Sequence, residues 1–370
     1  METINKNFVP IEPIHPSELV KDELKARGMQ KKELAERLGM KAPNLSRFFK
    51  AKEDVTPAMA LKLESALGIP ADYWIGLQLS YNRDLEAIRQ RDEEENKAMQ
   101  IVSALSKTLN LSILFKELSL GSYKFVKYKL AALYDMFHVK SMEELLCFTV
   151  AQGCFKRSEK LETNDRNLNT WILLARRACN DVGGCLPSYD KGSESDAAKE
   201  IASLANAQEI TENYIKDILN RHGIGYCVVE KFEKTPVDAY SAIIKGHPFI
   251  VVSHRKNNMD MLVFDILHEC GHINMHLSAG GAIISYNQNL HEANGIEQEA
   301  NDYAKDMLIP PAVWARITRR GSRSLNPNRL IGIIAEEAEM AGISPTIAAW
   351  RFKYETGNYK IPGYKSKTIR

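Results

Sequence analysis

His268 and His272 stand four residues apart in the run His268-Glu269-Cys270-Gly271-His272. Around them, Leu262, Ile266, Ile273 and Leu277 recur at helical spacing. This pattern constrains the fold more than any other in the chain. Residues four apart share one face of a helix, so both imidazoles can turn towards one cation. Glu269 lies about 100° round the same helix, close enough to act on a water without being a ligand. Two neutral nitrogen donors, an open position and a carboxylate that can accept a proton make up the donor set of a zinc hydrolase. Two histidines under-coordinate zinc, so a second element must supply another ligand. The acidic run Glu297-Gln298-Glu299-Ala300-Asn301-Asp302 is where that ligand is expected. Cys270 is two positions from His268, so its side chain points away from the metal face and is expected to pack. His254 and His291 are loop or strand-end histidines that could stabilise an oxyanion.

The remainder of the 370 residues bounds the setting. Hydrophobic residues make up 44% and charged residues 26%, the balance of a globular protein with a substantial core, long enough for two or three domains. The net charge of +2 gives no global field towards nucleic acid, so any such binding needs a local patch. No apolar run approaches the roughly 20 residues of a membrane span. Met1-Glu2-Thr3-Ile4-Asn5-Lys6 lacks the apolar core of a signal peptide. Cys147, Cys154, Cys179, Cys185, Cys227 and Cys270 are scattered with no C-x-x-C pair. They read as reduced, mostly buried thiols, and the expected location is cytoplasmic.

The local patch lies near the N-terminus. Helices are expected at 17–27, 30–38, 43–49 and 57–67, punctuated by Gly28, Gly39, Gly68 and Pro70 and with Thr56 as an N-cap. A tight turn between the second and third helices of an all-helical bundle is the helix-turn-helix layout, whose second helix enters the DNA major groove. Lys41, Arg47, Lys50 and Lys52 fall in a stretch without acids, where they can meet phosphates or guanine edges. Asn44 is placed to read a base and Gln30 to hold a phosphate. A solvated basic face is the plainer reading of any one of these lysines.

Ile14-His15-Pro16, Gln30-Lys31-Lys32-Glu33-Leu34-Ala35-Glu36-Arg37-Leu38-Gly39, Thr56-Pro57-Ala58-Met59-Ala60-Leu61 and Tyr73-Trp74 with Leu77-Gln78 resemble the HigA/VapI antitoxin branch of the Cro/cI-type (XRE) DNA-binding family over about residues 14–80. The resemblance implies a lambda-repressor-like bundle, operator DNA as partner, a possible toxin partner and a homodimer on a palindromic site. The chain departs from the family where Lys41 replaces a capping serine and where Lys50-Ala51 replaces an Asn-Gly turn. Ala51 takes a left-handed conformation less cheaply than glycine.

Beyond residue 80, residues 83–97 carry dense charge of both signs and read as a solvated helix joining domains. Helical patterns continue to Cys179, with Ile101, Leu105, Phe125, Leu130, Phe137, Leu145, Val150 and Trp171 as apolar positions and no chemical constellation. This helical middle region, 81–205, ends at a Gly- and Ser-rich loop before 195. From 206 on, a helix over 210–221 and strands at 225–229, 239–245 and 248–252 precede the H-E-x-x-H helix. That is an α+β domain with helices on one side of a small sheet. The expected organisation is therefore multidomain: an all-α bundle over 13–80, the middle region, and this domain over 206–370.

His268 to His276, together with the segment from Glu297 to Pro310, resembles the ImmA/IrrE family of zinc metallopeptidases. Lys234-Thr235-Pro236, Gly246-His247-Pro248, Arg255 with Asp260, Ile343-Ser344-Pro345 and Arg351-Phe352 extend the likeness to about residues 206–355. The resemblance implies a zincin-like endopeptidase with Zn2+ on His268, His272 and Glu297, the first acid of its E-x-x-A-[ND] pattern. Glu299 lies near the opposite side of that helix. Asn301, one turn on from Glu297, would hydrogen-bond the ligands, and His276 would orient the site or cap its helix. Glu269 would be the general base, and the substrate a regulatory protein of the repressor or antitoxin type. The rival expectation is a non-catalytic repressor that binds DNA and a toxin and keeps the zincin fold as a sensor.

Overall fold

A computed structural model describes residues 9–149, 164–255, 257–278, 281–286, 295–321, 326–362 and 367–369. The chain divides into two compact units, Met1–Val102 with Lys124–Leu130, and Ser103–Tyr123 with Ala131–Arg370. The readings made on Met1 to Lys6, Val150, Cys154 and His291 lie outside the described residues. Among those described, no helix is long and apolar enough to cross a membrane.

In the first unit, α1 (Pro16–Ala26), α2 (Lys31–Leu38), α3 (Ala42–Phe48) and α4 (Pro57–Leu67) match the expected four helices to within a residue or two. Each starts and stops for a local reason. His15 Nδ1 accepts from the Ser17 amide at 3.1 Å, and Thr56 Oγ1 from that of Met59 at 3.3 Å. Gly39 and Gly68 close α2 and α4 in the left-handed region. Val20, Leu34, Leu38, Leu45, Phe48, Leu63 and Trp74 form a single core. The charged segment expected at 83–97 is part of one 35-residue helix, α5 (Ala71–Leu105).

The second unit begins with short helices, α6 (Leu111–Glu117), a 3-10 turn (Leu120–Ser122), α7 (Val126–Phe137, its first residues counted in the first unit) and α8 (Met142–Leu146). There follow α9 (Asp165–Gly183), α10 (Ser193–Asn206), α11 (Glu212–Arg221), β1 (Gly225–Val228), β2 (Val237–Ile244), β3 (His247–Val252), α12 (Met259–Met275), β4 (Ala282–Tyr286), α13 (Ile296–Leu308), α14 (Pro311–Gly321), α15 (Pro327–Met340) and α16 (Pro345–Thr356). The sheet runs β1-β3-β2-β4, with β1 parallel to β3 and the other pairs antiparallel. Lys245 and Gly246, both at positive φ, make the tight turn between β2 and β3. Gly225 is opposite Phe249, where a Cβ would lie 2.2 Å from the ring.

The sheet is covered on both faces, which corrects the one-sided arrangement expected from sequence. Tyr226, Ala239, Ile250 and Val252 face the core built on α10, α11 and α12. Cys227, Val237, Tyr240, Phe249 and Val251 face Leu168, Trp171, Ile172, Ala175 and Cys179 of α9. The physical reason is the two-residue alternation of strands: both sets are apolar, so both faces need cover. Helices α9 and α10, assigned from sequence to the middle region, thus share cores with residues after 206.

Candidate metal centre and nucleic-acid interface

Helix α12 starts where Asn258 Oδ1 accepts from the Met261 amide at 3.0 Å. Its apolar face, with Leu262, Val263, Ile266, Leu267, Cys270 and Ile273, is buried in the unit's main core. Cys270 therefore packs, as expected, and burial pushes its thiol well above the usual range. His268, Glu269 and His272 are buried too, the last two at 0% exposure. Helix α13 crosses α12 where Gly271 meets Ala300. A Cβ on residue 271 would lie 3.2 Å from the Ala300 Cα and from the Tyr303 Cβ. A side chain there would make its neighbours give by a few tenths of an ångström, so glycine suits this close approach.

This crossing brings His268, His272 and Glu297 together, with their ligand atoms all within 4.8 Å. The two Nε2 atoms are 3.0 Å apart, and each lies 3.4 Å from a different oxygen of Glu297. Outer partners fix which nitrogen carries each proton. Asn301 Oδ1, an acceptor, is 3.0 Å from His268 Nδ1, so Nδ1 holds the hydrogen and Nε2 keeps its lone pair. His276 Nε2 donates to Glu299 Oε2 at 2.8 Å, leaving its Nδ1 to accept from His272 Nδ1 at 3.0 Å. His272 Nε2 then also presents a lone pair. Three electron-pair donors converge on one point, a set that favours a proton or a cation.

The titration of the group follows. Burial opposes charge on His268, but the protonated ring donates from Nε2 to Glu297, and this bond with the nearby carboxylates of Glu269, Glu297 and Asp265 outweighs burial and raises its pKa. Burial likewise pushes the Glu297 carboxyl up, and its hydrogen bonds and charge interactions with His268 and His272 overcome this, holding it at about 2. Ligand atoms about 2.0–2.1 Å from a shared tetrahedral centre are roughly 3.3–3.4 Å apart, which the two nitrogen–oxygen separations of 3.4 Å match and the 3.0 Å between the nitrogens falls short of. Beside them, both carboxylate oxygens of Glu269 are buried with no hydrogen-bond partner among the described residues. A buried polar group without a partner costs about 1–3 kcal/mol, more for a charge, and such groups call for an explanation such as a catalytic role.

Five residues were expected at DNA. Gln30, Lys41, Asn44, Arg47 and Lys50 are all exposed, on α3 or at the ends of α2 and α3. Lys41 is the N-cap of α3 and makes no side-chain capping bond. Arg47 is 61% exposed, with its Nε 2.8 Å from Glu53 Oε1. Lys50 joins Lys21, Lys31 and Lys32 around a cleft of about 370 Å3 floored by Ala35, Leu45 and Phe49, with no carboxylate in its lining. Ala51 adopts φ 53° after all. Its amide donates to Phe48 and that of Lys52 to Arg47, which closes α3 with paired bonds usually completed by glycine.

Residues 20–74 match a helix-turn-helix family model. This part of the chain is a helix-turn-helix domain of the XRE type. Three solved structures are similar to it. An addiction module antidote protein of the HigA family from Coxiella burnetii is 24% identical, covering 23% of this chain and 95% of its own, with a TM-score of 0.22. The Pseudomonas aeruginosa antitoxin HigA, solved with the higBA promoter, is 25% identical over 22% of this chain and 90% of its own, with a TM-score of 0.21. A putative antidote protein of a plasmid maintenance system from Nostoc punctiforme is 27% identical over 24% of this chain and 97% of its own, with a TM-score of 0.22. No curated protein matches the chain.

Sequence reasoning missed several contributors. Glu299, set aside as a ligand for facing away, binds His276 and so supports His272 from outside. Lys21, Lys31 and Lys32 belong with Lys50, which only the packing of α1, α2 and α3 shows. His254, considered for an oxyanion, has its Nε2 2.9 Å from Glu212 Oε1, but the hydrogen bond to that oxygen comes from the Tyr226 hydroxyl at 2.8 Å.

Proposed function

We propose that this protein is a DNA-binding regulator that also carries a zinc-dependent endopeptidase centre directed at a regulatory protein of the repressor or antitoxin type. The observation that carries the catalytic half is the orphaned, fully buried Glu269 carboxylate beside three converging donors. The donor chemistry fits a divalent ion: His268, His272 and Glu297 would hold it, with Asn301 and His276 fixing the imidazole tautomers. Zinc there would supply Lewis acidity to a peptide carbonyl and to water. Glu269 accepts the proton of the attacking water and delivers it to the leaving amine nitrogen. Burial of the site excludes bulk water and strengthens each charge interaction.

The helix-turn-helix match supports the DNA half, with Gln30, Lys41, Asn44, Arg47 and Lys50 as the contacting residues and a dimer on a palindromic operator. The metal content of the purified chain tests the centre. About one zinc per chain, lost in His268→Ala and Glu297→Ala, is expected. Glu269→Gln should keep the zinc and abolish cleavage, read as new protein N-termini in cells carrying the unaltered chain but not the variant. Identical N-termini in both would leave a DNA-binding repressor without peptidase activity.

A further inference from the structure

The N-terminal turn of α10 carries a fully buried carboxylate that the proposed chemistry does not use. Glu194 is 0% exposed. Its Oε2 accepts from the Tyr189 hydroxyl at 2.6 Å and the Gly192 amide at 2.8 Å, and its Oε1 from Asn274 Nδ2 at 2.8 Å. The next residue, Ser195, extends the network. Its Oγ lies 3.3 Å from Asn274 Nδ2 and accepts from the Tyr303 hydroxyl at 3.3 Å. Asn274 sits two residues after His272 on α12, and Tyr303 two residues after Asn301 on α13. One turn of a third helix therefore grips both helices that carry His268, His272 and Glu297, through Asn274 on one and Tyr303 on the other. Tyr303 is also the side chain that packs against Gly271 where the two helices cross.

We propose that Glu194 and Ser195 are positioning residues that set the spacing of α12 and α13, and so the separation of His268 and His272 from Glu297. This rests on the metal reading above. The carboxylate is suited to the task because its hydrogen bonds are charge-assisted and directional, whereas the apolar contacts between these helices tolerate sliding. Its place in the first turn of a 14-residue helix favours its negative charge. The cost of burying it is offset by three donors, so removing it takes their acceptor from the Tyr189 hydroxyl and the Gly192 amide and leaves Asn274 Nδ2 with Ser195 Oγ alone.

The test uses the full chain and five variants, Glu194→Gln, Glu194→Ala, Ser195→Ala, Tyr303→Phe and the Tyr303→Phe Ser195→Ala double variant. Zinc affinity is read by competition with a chromophoric chelator. Ligand geometry is read from the visible spectrum of the cobalt(II)-loaded chain. Thermal unfolding of the metal-free chain identifies any variant that fails to fold. Tyr303→Phe and Ser195→Ala remove only the second arm and are the safeguard if Glu194→Ala does not fold. We expect zinc affinity about tenfold weaker in Glu194→Ala and in the Tyr303→Phe Ser195→Ala double variant, with an altered cobalt spectrum. Glu194→Gln keeps one acceptor oxygen for Asn274 and should recover part of both. Affinity and spectrum equal to the unaltered chain in the folded variants would overturn the inference alone. Absence of metal binding by the unaltered chain would overturn the metal reading and this inference with it.

Discussion

Gly271→Ala separates the stability of the fold from the geometry of the centre. The added methyl would sit 3.2 Å from the Ala300 Cα, the Tyr303 Cβ and the Tyr303 Cδ1. Carbon atoms rest at about 3.5–4.0 Å, so the neighbours must yield by roughly 0.3–0.8 Å. The tyrosine ring can tilt, but the Ala300 Cα moves only if α13 moves. Glu297 lies three residues earlier on that helix, so the shift passes to a carboxylate now 3.4 Å from each Nε2. Metal sites hold their distances to about 0.2 Å, and a displacement above this should weaken binding of the proposed zinc at least tenfold, or about 1.4 kcal/mol. The fold feels opposing effects. Replacing a mid-helix glycine by alanine gains about 0.8–1.0 kcal/mol of helix propensity, while overpacking costs about 1–3 kcal/mol. The metal-free variant should therefore lie within about 2 kcal/mol of the parent in urea denaturation. Chelator competition on the same preparation reads the zinc affinity. An unchanged affinity would show that the crossing does not set the ligand spacing, and the reasoning would fail there.

Three further outcomes follow from contacts elsewhere. Ala51→Gly should stabilise the helix-turn-helix unit by about 1 kcal/mol in thermal unfolding, because Ala51 closes α3 at φ 53° where glycine carries no steric penalty. Lys50→Ala should lower the slope of log affinity against log salt by about 1 on DNA selected from a random pool, and an unchanged slope would remove Lys50 from the phosphate contacts. Arg351→Lys should cost about 2–3 kcal/mol in chemical denaturation. The guanidinium donates to the Lys305 and Ile309 carbonyls at 2.8 and 3.2 Å and stacks 4.5 Å over the Trp314 ring, a geometry an ammonium cannot reproduce.

Features set by local spacing were legible in the sequence. The four N-terminal helices, their glycine stops and the Thr56 cap follow from neighbouring residues, as does the placement of His268 and His272 on one helical face. Glu297 was reachable because a third donor was expected from a second helix, a family resemblance pointed to the first acid of E-x-x-A-N, and Glu299 faces the other side of that helix. What stayed hidden depends on residues distant in the chain. Strand β4 is five residues long and has β2 as its partner, so its run of Ala282, Ile283 and Ile284 gives little signal alone. The apolar stripe of α9 shows that the helix is buried but not that its partner is a sheet more than forty residues later. Glu194 reads as an ordinary acid in a first helical turn, and only folding brings Asn274 to it. His276 and Glu299 support each other across 23 positions.

The two-sided cover of the sheet also bears on how such a chain can be cut and rejoined. A break near residue 206, where the linear reading drew a boundary, would strip α9 from one face of the strands and α10 from α12. The severed piece would keep His268, Glu269, His272 and Glu297 yet expose Tyr240, Phe249 and Val251 to water. In a recombined gene, the inheritable block reaches back at least to Asn164, whose side chain caps α9. A join made upstream of that residue would keep both faces of the sheet covered.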